Sequence, residues 1–243
     1  MNDGIVHKNG KRNGNILHIR NLTKTYIQGK IPVHALDDVN FDVDKGEFIS
    51  IVGPSGSGKS TLLSMIGLLD RPTAGSVFIE DKEITKVKEG DAPKIRREKI
   101  GFVFQHFNLL STLTAIENVD IAMRFSGVSK KKRKERAYEL LSQVGLGDRL
   151  THRPSELSGG EQQRVAIARS MANNPAIILA DEPTGAVDTK TREIIVGILK
   201  DLSKNGQTII VVTHDTEVAK QTNRIITMRD GKIVSDISTN GEK

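Results

Sequence analysis

The chain has 243 residues, 26.7 kDa, enough for one large α/β domain with room for a subdomain. It contains no cysteine, which rules out disulfides and thiolate metal sites, and no apolar run long enough for a membrane-spanning helix. The net charge is +6, yet aromatic residues make up only 4% and tryptophan is absent, so base-stacking platforms are poorly supplied and a nucleic-acid partner is not expected.

In chain order, residues 1–15 are rich in Asn, Gly and Lys and are expected to form a polar, disordered tail with no signal peptide. Alternation over residues 16–21 predicts an edge strand, and residues 39–43 and 47–52 predict two more, joined by a turn at Asp44-Lys45-Gly46. The second of these runs into Gly53-Pro54-Ser55-Gly56-Ser57-Gly58-Lys59-Ser60-Thr61, followed by an apolar helix beginning Leu62, Leu63, Met65, Ile66. Strand, glycine-rich loop, Lys-Ser and helix make up a phosphate loop: its N–H groups and the helix N-terminus face phosphate oxygens, Lys59 reaches the β- and γ-phosphates, and Ser60 ligates Mg2+. This is the signature of a nucleoside-triphosphate site.

A strand is predicted over residues 76–80, then a charged, loop-rich stretch through Arg97, then a strand over 100–104 ending in Gln105. Residues 114–173 read as mainly helical, with capping boxes at Thr114/Glu117 and Ser158/Glu161. Within them, residues 129–136 form the densest basic run. It either touches nucleic acid or an anionic membrane, or is a solvated helix start capped by Ser129, with Ala137, Leu140, Leu141 and Val144 as the apolar stripe; the second reading is favoured. Strands follow at 176–180 and 208–212, with a helix between them over about 190–203 and a short one from Asp215. A final hairpin is predicted from 224–228 and 232–236, turning at Arg229-Asp230-Gly231. The wholly apolar strands at 176–180 and 209–212 imply a mainly parallel sheet covered on both faces.

The chemistry concentrates at two further places. Asp181 and Glu182 stand at the C-terminal end of an apolar strand, where α/β ligand sites lie: Asp181 is placed to hold Mg2+ and Glu182 to polarise the attacking water. Leu157-Ser158-Gly159-Gly160-Glu161-Gln162-Gln163-Arg164 places exposed N–H groups and a hydroxyl at a capped helix start, a second anion receptor in a chain that already has one.

That string resembles the signature motif of ATP-binding cassette (ABC) ATPases, and the other family elements match in order. The resemblance implies that Tyr26 stacks on adenine, that Gln105 contacts Mg2+ or the lytic water, and that His214 reaches the γ-phosphate. It also implies that Gly185-Ala186-Val187-Asp188 forms the D-loop, with valine where leucine is more usual. It further implies an α/β P-loop NTPase fold with a mainly parallel core sheet, an N-terminal antiparallel β region and an inserted helical subdomain. The expected divisions are one ATPase domain over residues 16–236, a helical subdomain over about 106–173, and a C-terminal tail over 237–243.

Functionally, the resemblance implies ATP and Mg2+ as ligands and an ATP-dependent head-to-tail dimer. Lys59, Ser60, Thr61, Gln105, Asp181, Glu182 and His214 of one copy face Ser158, Gly159 and Gly160 of the other. The chain then powers an integral membrane permease from the cytoplasmic face. The strings Gly101 through Leu110, Asn118-Val119 and Asp181 through Gly185 look like cassettes of lipoprotein-release and macrolide-export systems. There Phe107, Leu109 and Leu110 either line the groove for the permease's coupling helix or belong to the subdomain core. A regulatory ATPase acting with a soluble partner is the alternative. A chromosome-maintenance ATPase is excluded, because Lys59 and Ser158 leave no room between them for a long coiled coil.

Overall fold

The computed structural model describes residues 14–29 and 31–239. Most of the expected N-terminal tail, and residues 240–243 of the C-terminal one, lie outside the described residues. The chain opens with β1 (Asn15–Gln28), β2 (Ile31–Asp44) and β3 (Phe48–Val52), then α1 (Lys59–Ile66), β4 (Ala74–Ile79) and β5 (Lys82–Glu83). Next come α2 (Ala92–Lys99), β6 (Ile100–Phe104), α3 (Ala115–Met123), α4 (Lys130–Gln143) and α5 (Gly159–Ser170). The C-terminal part comprises β7 (Ile177–Asp181), α6 (Thr189–Lys204), β8 (Thr208–Val212), α7 (Thr216–Ala219), β9 (Arg224–Arg229) and β10 (Lys232–Ser238).

Two sheets result. One is antiparallel, in the order β2-β1-β4-β5; the other runs β10-β9-β3-β8-β7-β6 and is parallel except for the β9–β10 hairpin. That hairpin turns through Asp230 and Gly231, both at positive φ (49° and 76°), as a two-residue loop between right-twisted strands requires. In the central strands the period-two alternation serves both faces. Ile177, Leu179, Ile210 and Val212 face α1 and the antiparallel sheet, while Ile178, Ala180, Ile209 and Val211 face the helices α3 to α6. Apolar burial on both sides is what makes these strands read as unbroken hydrophobic runs.

Both capping boxes form as expected: the side chains of Thr114 and Ser158 accept from the N–H groups of Glu117 and Glu161, whose carboxylates accept in return. The basic run begins α4, but it is not uniformly solvated. Lys130, Lys131, Lys132 and Lys134 are exposed, whereas Arg133 Nε donates to the buried Asp120 at 2.9 Å and Arg136 Nη2 donates to Asn174. Ala137, Leu140, Leu141 and Val144 are buried as the stripe required.

Three local expectations are corrected. β1 is no edge strand: it lies between β2 and β4, which is why Leu17, Ile19 and Leu22 are fully buried, and with β2 it forms a hairpin longer than its apolar core. The charged stretch before Arg97 contains α2, which buries only Ile95 and so carries almost no periodic apolar signal. β10 continues to Ser238, two residues past the expected end.

Candidate functional site

The phosphate loop leaves β3, a central strand flanked by β8 and β9, and enters α1. Two of its glycines are demanded by geometry. Gly53 has φ 150°, and a Cβ there would sit 2.2 Å from the Met228 carbonyl oxygen; Gly58, the N-cap of α1, has φ 99° and the Ala35 carbonyl oxygen at 2.4 Å. Pro54, Ser55, Gly56 and Ser60 are exposed, and Ser57 is buried, with its carbonyl accepting from Gly231 N. Gly58 provides no side-chain cap and α1 has no acidic residue in its first turn, so the positive end of the helix is left for an anion. The Lys59 ammonium folds back over this loop, donating to the Gly53 and Pro54 carbonyls at 2.8 Å each.

Asp181 ends β7 and Glu182 follows it at φ 46°, a left-handed conformation that a non-glycine residue holds only where its surroundings impose it. Those surroundings are visible. Glu182 N donates to Val212 O, and its carboxylate accepts from Thr213 Oγ1 (3.2 Å) and His214 N (3.0 Å) and lies 2.7 Å from His214 Nδ1. The carboxylate is mostly shielded while the His214 ring is largely exposed. Burial, and then the neighbouring Glu182, push the Asp181 carboxyl above its ordinary value, with Lys59 opposing. A carboxylate destabilised in this way gains from a divalent cation. Among the described residues no cluster of three or more His, Cys, Asp or Glu forms a cage. Mg2+ bound chiefly by phosphates and water needs none, so Asp181 and the exposed Ser60 hydroxyl fit it.

Gln105 leaves β6 with its side-chain amide against Gly185, where a Cβ would lie 3.0 Å from Nε2. It therefore borders the segment that carries Glu182. Asp188 is the N-cap of α6: one carboxylate oxygen accepts from Thr191 N (3.0 Å) and the other from Thr191 Oγ1 (2.6 Å), and these bonds hold its pKa below the usual range. Tyr26 is 41% exposed on the β1–β2 hairpin, an open ring face at the loop's end of the molecule.

The second receptor lies elsewhere. β3 and β6 are three positions apart in the sheet, roughly 14 Å at ordinary strand spacing, and α5 packs against β6. Ser158 is exposed, and its hydroxyl oxygen accepts from Glu161 N at 3.2 Å, which leaves the O–H proton free to donate outward. Gly160 packs so closely that a Cβ would meet Thr191 Cγ2 at 2.2 Å. A cavity of about 500 Å3 between α3 and α4, bordered by Asp120, Arg124 and Arg133, belongs to neither receptor.

Several supporting residues escaped the sequence reading. Tyr26 Oη donates to Asp70 (2.9 Å), and Lys24 both pairs with Asp70 (2.8 Å) and sits 4.7 Å above the Tyr26 ring. Burial and then Asp70 raise the Tyr26 pKa. Gln163 and Arg169 on α5 contact the loops around Gln105. Gln163 stands within the string quoted from the sequence, where it carried no role of its own, and the one signal at Arg169 is a charged residue directly after the buried run Val165 to Ala168. Of the three residues after Gln105 with two readings, Leu110 is exposed, whereas Leu109 packs against the buried cluster and Phe107 is half-buried.

Comparison with known proteins agrees with this geometry. The ABC transporter family profile matches residues 36–185, more than half of the chain. The uncharacterized ABC transporter ATP-binding protein YvrO of Bacillus subtilis is 51% identical, covering 91% of this chain and 96% of that protein. The macrolide export ATP-binding/permease protein MacB of Hyphomonas neptunium is 45% identical over 91% of this chain, which spans 34% of MacB. Among solved structures, a dimeric post-hydrolysis state of the cassette MJ0796 (Methanocaldococcus jannaschii) bound to ADP and Pi superposes with a TM-score of 0.85. It is 48% identical, over 93% of this chain and 99% of that one.

Proposed function

The chain belongs to the ABC transporter family as an ATP-binding subunit and ATPase, and from that premise we propose that two copies close head to tail over two ATP–Mg2+. The observation that carries the proposal is the separation of the two anion receptors. The exposed residues of the phosphate loop (Pro54, Ser55, Gly56 and Ser60) and the exposed Ser158 are carried by elements three strand positions apart in one sheet, so a second copy is needed to bring them onto one nucleotide. The dimeric MJ0796 structure with ADP and Pi supports that arrangement.

In each site, Gly53, Pro54, Ser55, Gly56, Ser57 and Gly58 wrap the phosphates, Lys59 neutralises the β- and γ-oxygens, and Thr61 closes the loop. Tyr26 offers its partly exposed ring to adenine. Mg2+, held through Ser60, Asp181 and Gln105, supplies charge neutralisation on the phosphates. Glu182 takes the proton of the attacking water, while His214, fixed to Glu182 through Nδ1, presents its other ring nitrogen to the γ-phosphate. Ser158, Gly159 and Gly160 of the second copy complete the shell, and Asp188 shapes the loop between the sites by capping α6. Cleavage of the γ-phosphate removes the anion that both receptors share, so the dimer opens.

The single ATPase domain is assigned to residues 16–236, with the helical subdomain over about 106–173. Its helices pack on one another but share their buried cluster with the main sheet. No described helix is long and apolar enough to cross a membrane. The partner is a separate membrane permease of the export or mechanotransmission type, with the chain at its cytoplasmic face. The likeness to MacB, which by name joins an ATP-binding part to a permease, supports this.

The test uses Glu182→Gln, which removes the base and keeps the site's shape: turnover is lost and an ATP-bound dimer accumulates. A variant hydrolysing ATP at the wild-type rate removes Glu182 from that role. The trapped protein, purified with ATP from detergent-solubilised native membranes, is expected to bring a permease with it. Recovery of a soluble partner instead overturns the transport half of the reading.

A further inference from the structure

Helix α5 places two polar side chains on either side of Gln105. Gln163 is fully buried, and its amide nitrogen donates to the carbonyls of Pro183 (2.6 Å) and Phe104 (3.3 Å). Phe104 immediately precedes Gln105, and Pro183 immediately follows Glu182. The amide therefore ties the strand end before Gln105 to the residue after Glu182. Six residues further along, the Arg169 guanidinium forks onto the carbonyls of Asn108 (2.5 Å) and Phe107 (2.9 Å). Phe107 and Asn108 are consecutive non-glycine residues at φ 59° and 50°, a costly backbone that persists only when held. Arg169 has no carboxylate partner among the described residues, and burial lowers its pKa. Half-buried, Arg169 places two guanidinium N–H donors on successive carbonyls of one strained turn, which fixes that turn's position.

We propose that Gln163 and Arg169 are positioning residues that clamp the Gln105 loop on both sides and couple it to the Ser158 end of the same helix. The inference rests on the two-copy reading above. In such a dimer, α5 presents Ser158, Gly159 and Gly160 to the partner's nucleotide while its Gln163 and Arg169 hold Gln105 in its own chain's site. Gly159 lies against Phe107 within this same arrangement, with a Cβ there 3.6 Å from the Phe107 ring. Engagement of α5 at one site therefore sets the position of Gln105 at the other, a direct route for cooperativity between the two ATP molecules.

The test is a double-mutant cycle on the purified full chain, comparing wild type, Gln105→Ala, Arg169→Gln and the double variant. Arg169→Gln is expected to lower kcat about tenfold and to leave the KM for ATP within about twofold, because the phosphate loop is untouched. The double variant is expected to match Gln105→Ala within about twofold, since a clamp has no effect once its target is gone. Losses that multiply, or an Arg169→Gln protein with wild-type kcat, overturn the clamp. Full kcat in Gln105→Ala instead removes Gln105 from the catalytic site, a failure of the underlying assignment that takes the clamp with it. If Arg169→Gln does not fold, Gln163→Met, similar in volume and lacking the amide, enters the same cycle. If neither folds, the two contacts are purely structural and the proposal falls.

Discussion

Replacing Gly58 by alanine separates backbone strain from steric approach in the phosphate loop. Gly58 sits at φ 99°, so any side chain there carries a left-handed penalty of roughly 1–2 kcal/mol. The added Cβ also lies 2.4 Å from the Ala35 carbonyl oxygen, about 1 Å inside ordinary contact. That oxygen cannot swing aside as a side chain would. Ala35 is the bulged residue of β2 between His34 and Leu36, which pair with Thr25 and Lys24, and the strand is tied down beside it where the Gly231 carbonyl accepts from Asp37 N at 2.9 Å. Overpacking against fixed backbone adds about 1–3 kcal/mol. The sum, about 2–5 kcal/mol, predicts a fall in Tm of roughly 4–20 °C for a domain of this size.

Gly56 provides the comparison. Its φ is 80° but nothing lies within 4 Å of a Cβ, so Gly56→Ala is expected to lose only the backbone term, roughly 2–8 °C. Gly197, in α6 with ordinary φ and open space, is expected to gain about 1 kcal/mol as alanine. The assay is thermal unfolding of the nucleotide-free proteins by calorimetry. Equal losses for Gly58→Ala and Gly56→Ala refute the argument that the approach of β2 is what demands glycine at position 58.

Lys59→Ala removes the ammonium that donates to the Gly53 and Pro54 carbonyls and is expected to abolish most ATP affinity in a calorimetric titration; an unchanged Kd contradicts the loop geometry. Asp181→Asn is expected to raise the Tm of the nucleotide-free protein at pH 7 while weakening Mg2+-dependent hydrolysis. The sign follows from the raised carboxyl: the native state holds its proton more tightly than the unfolded chain, so ionisation above the raised value destabilises the fold. Below about pH 4, near the ordinary value for aspartate, both states are protonated and the gain disappears. A Tm advantage that persists unchanged at pH 3 assigns the effect to packing instead.

Features set by short-range geometry were legible in the chain alone. The phosphate loop, the carboxylate pair ending an apolar strand, the Ser158 capping box and the Asp230-Gly231 turn are contiguous strings whose conformation follows from φ requirements, capping bonds and side-chain periodicity. The two-sided burial of β7 and β8 was legible for the same reason, since a strand covered on both faces has no polar register to keep. Which of these strings meet depends on long-range packing. β3 pairs with β8 and β9 rather than with its chain neighbour β4, and that crossover carries the loop of Lys59 toward Asp181 and Glu182. The Lys24–Asp70–Tyr26 group and the grip of Arg169 on Phe107 and Asn108 join segments 44 to 62 positions apart. α2, with a single buried side chain, owes its existence to the surface it covers rather than to a pattern of its own. Local strings encode chemistry through short-range geometry, but the order of strands in a sheet is set by the competition of all possible pairings for one core, and no window of sequence contains that competition.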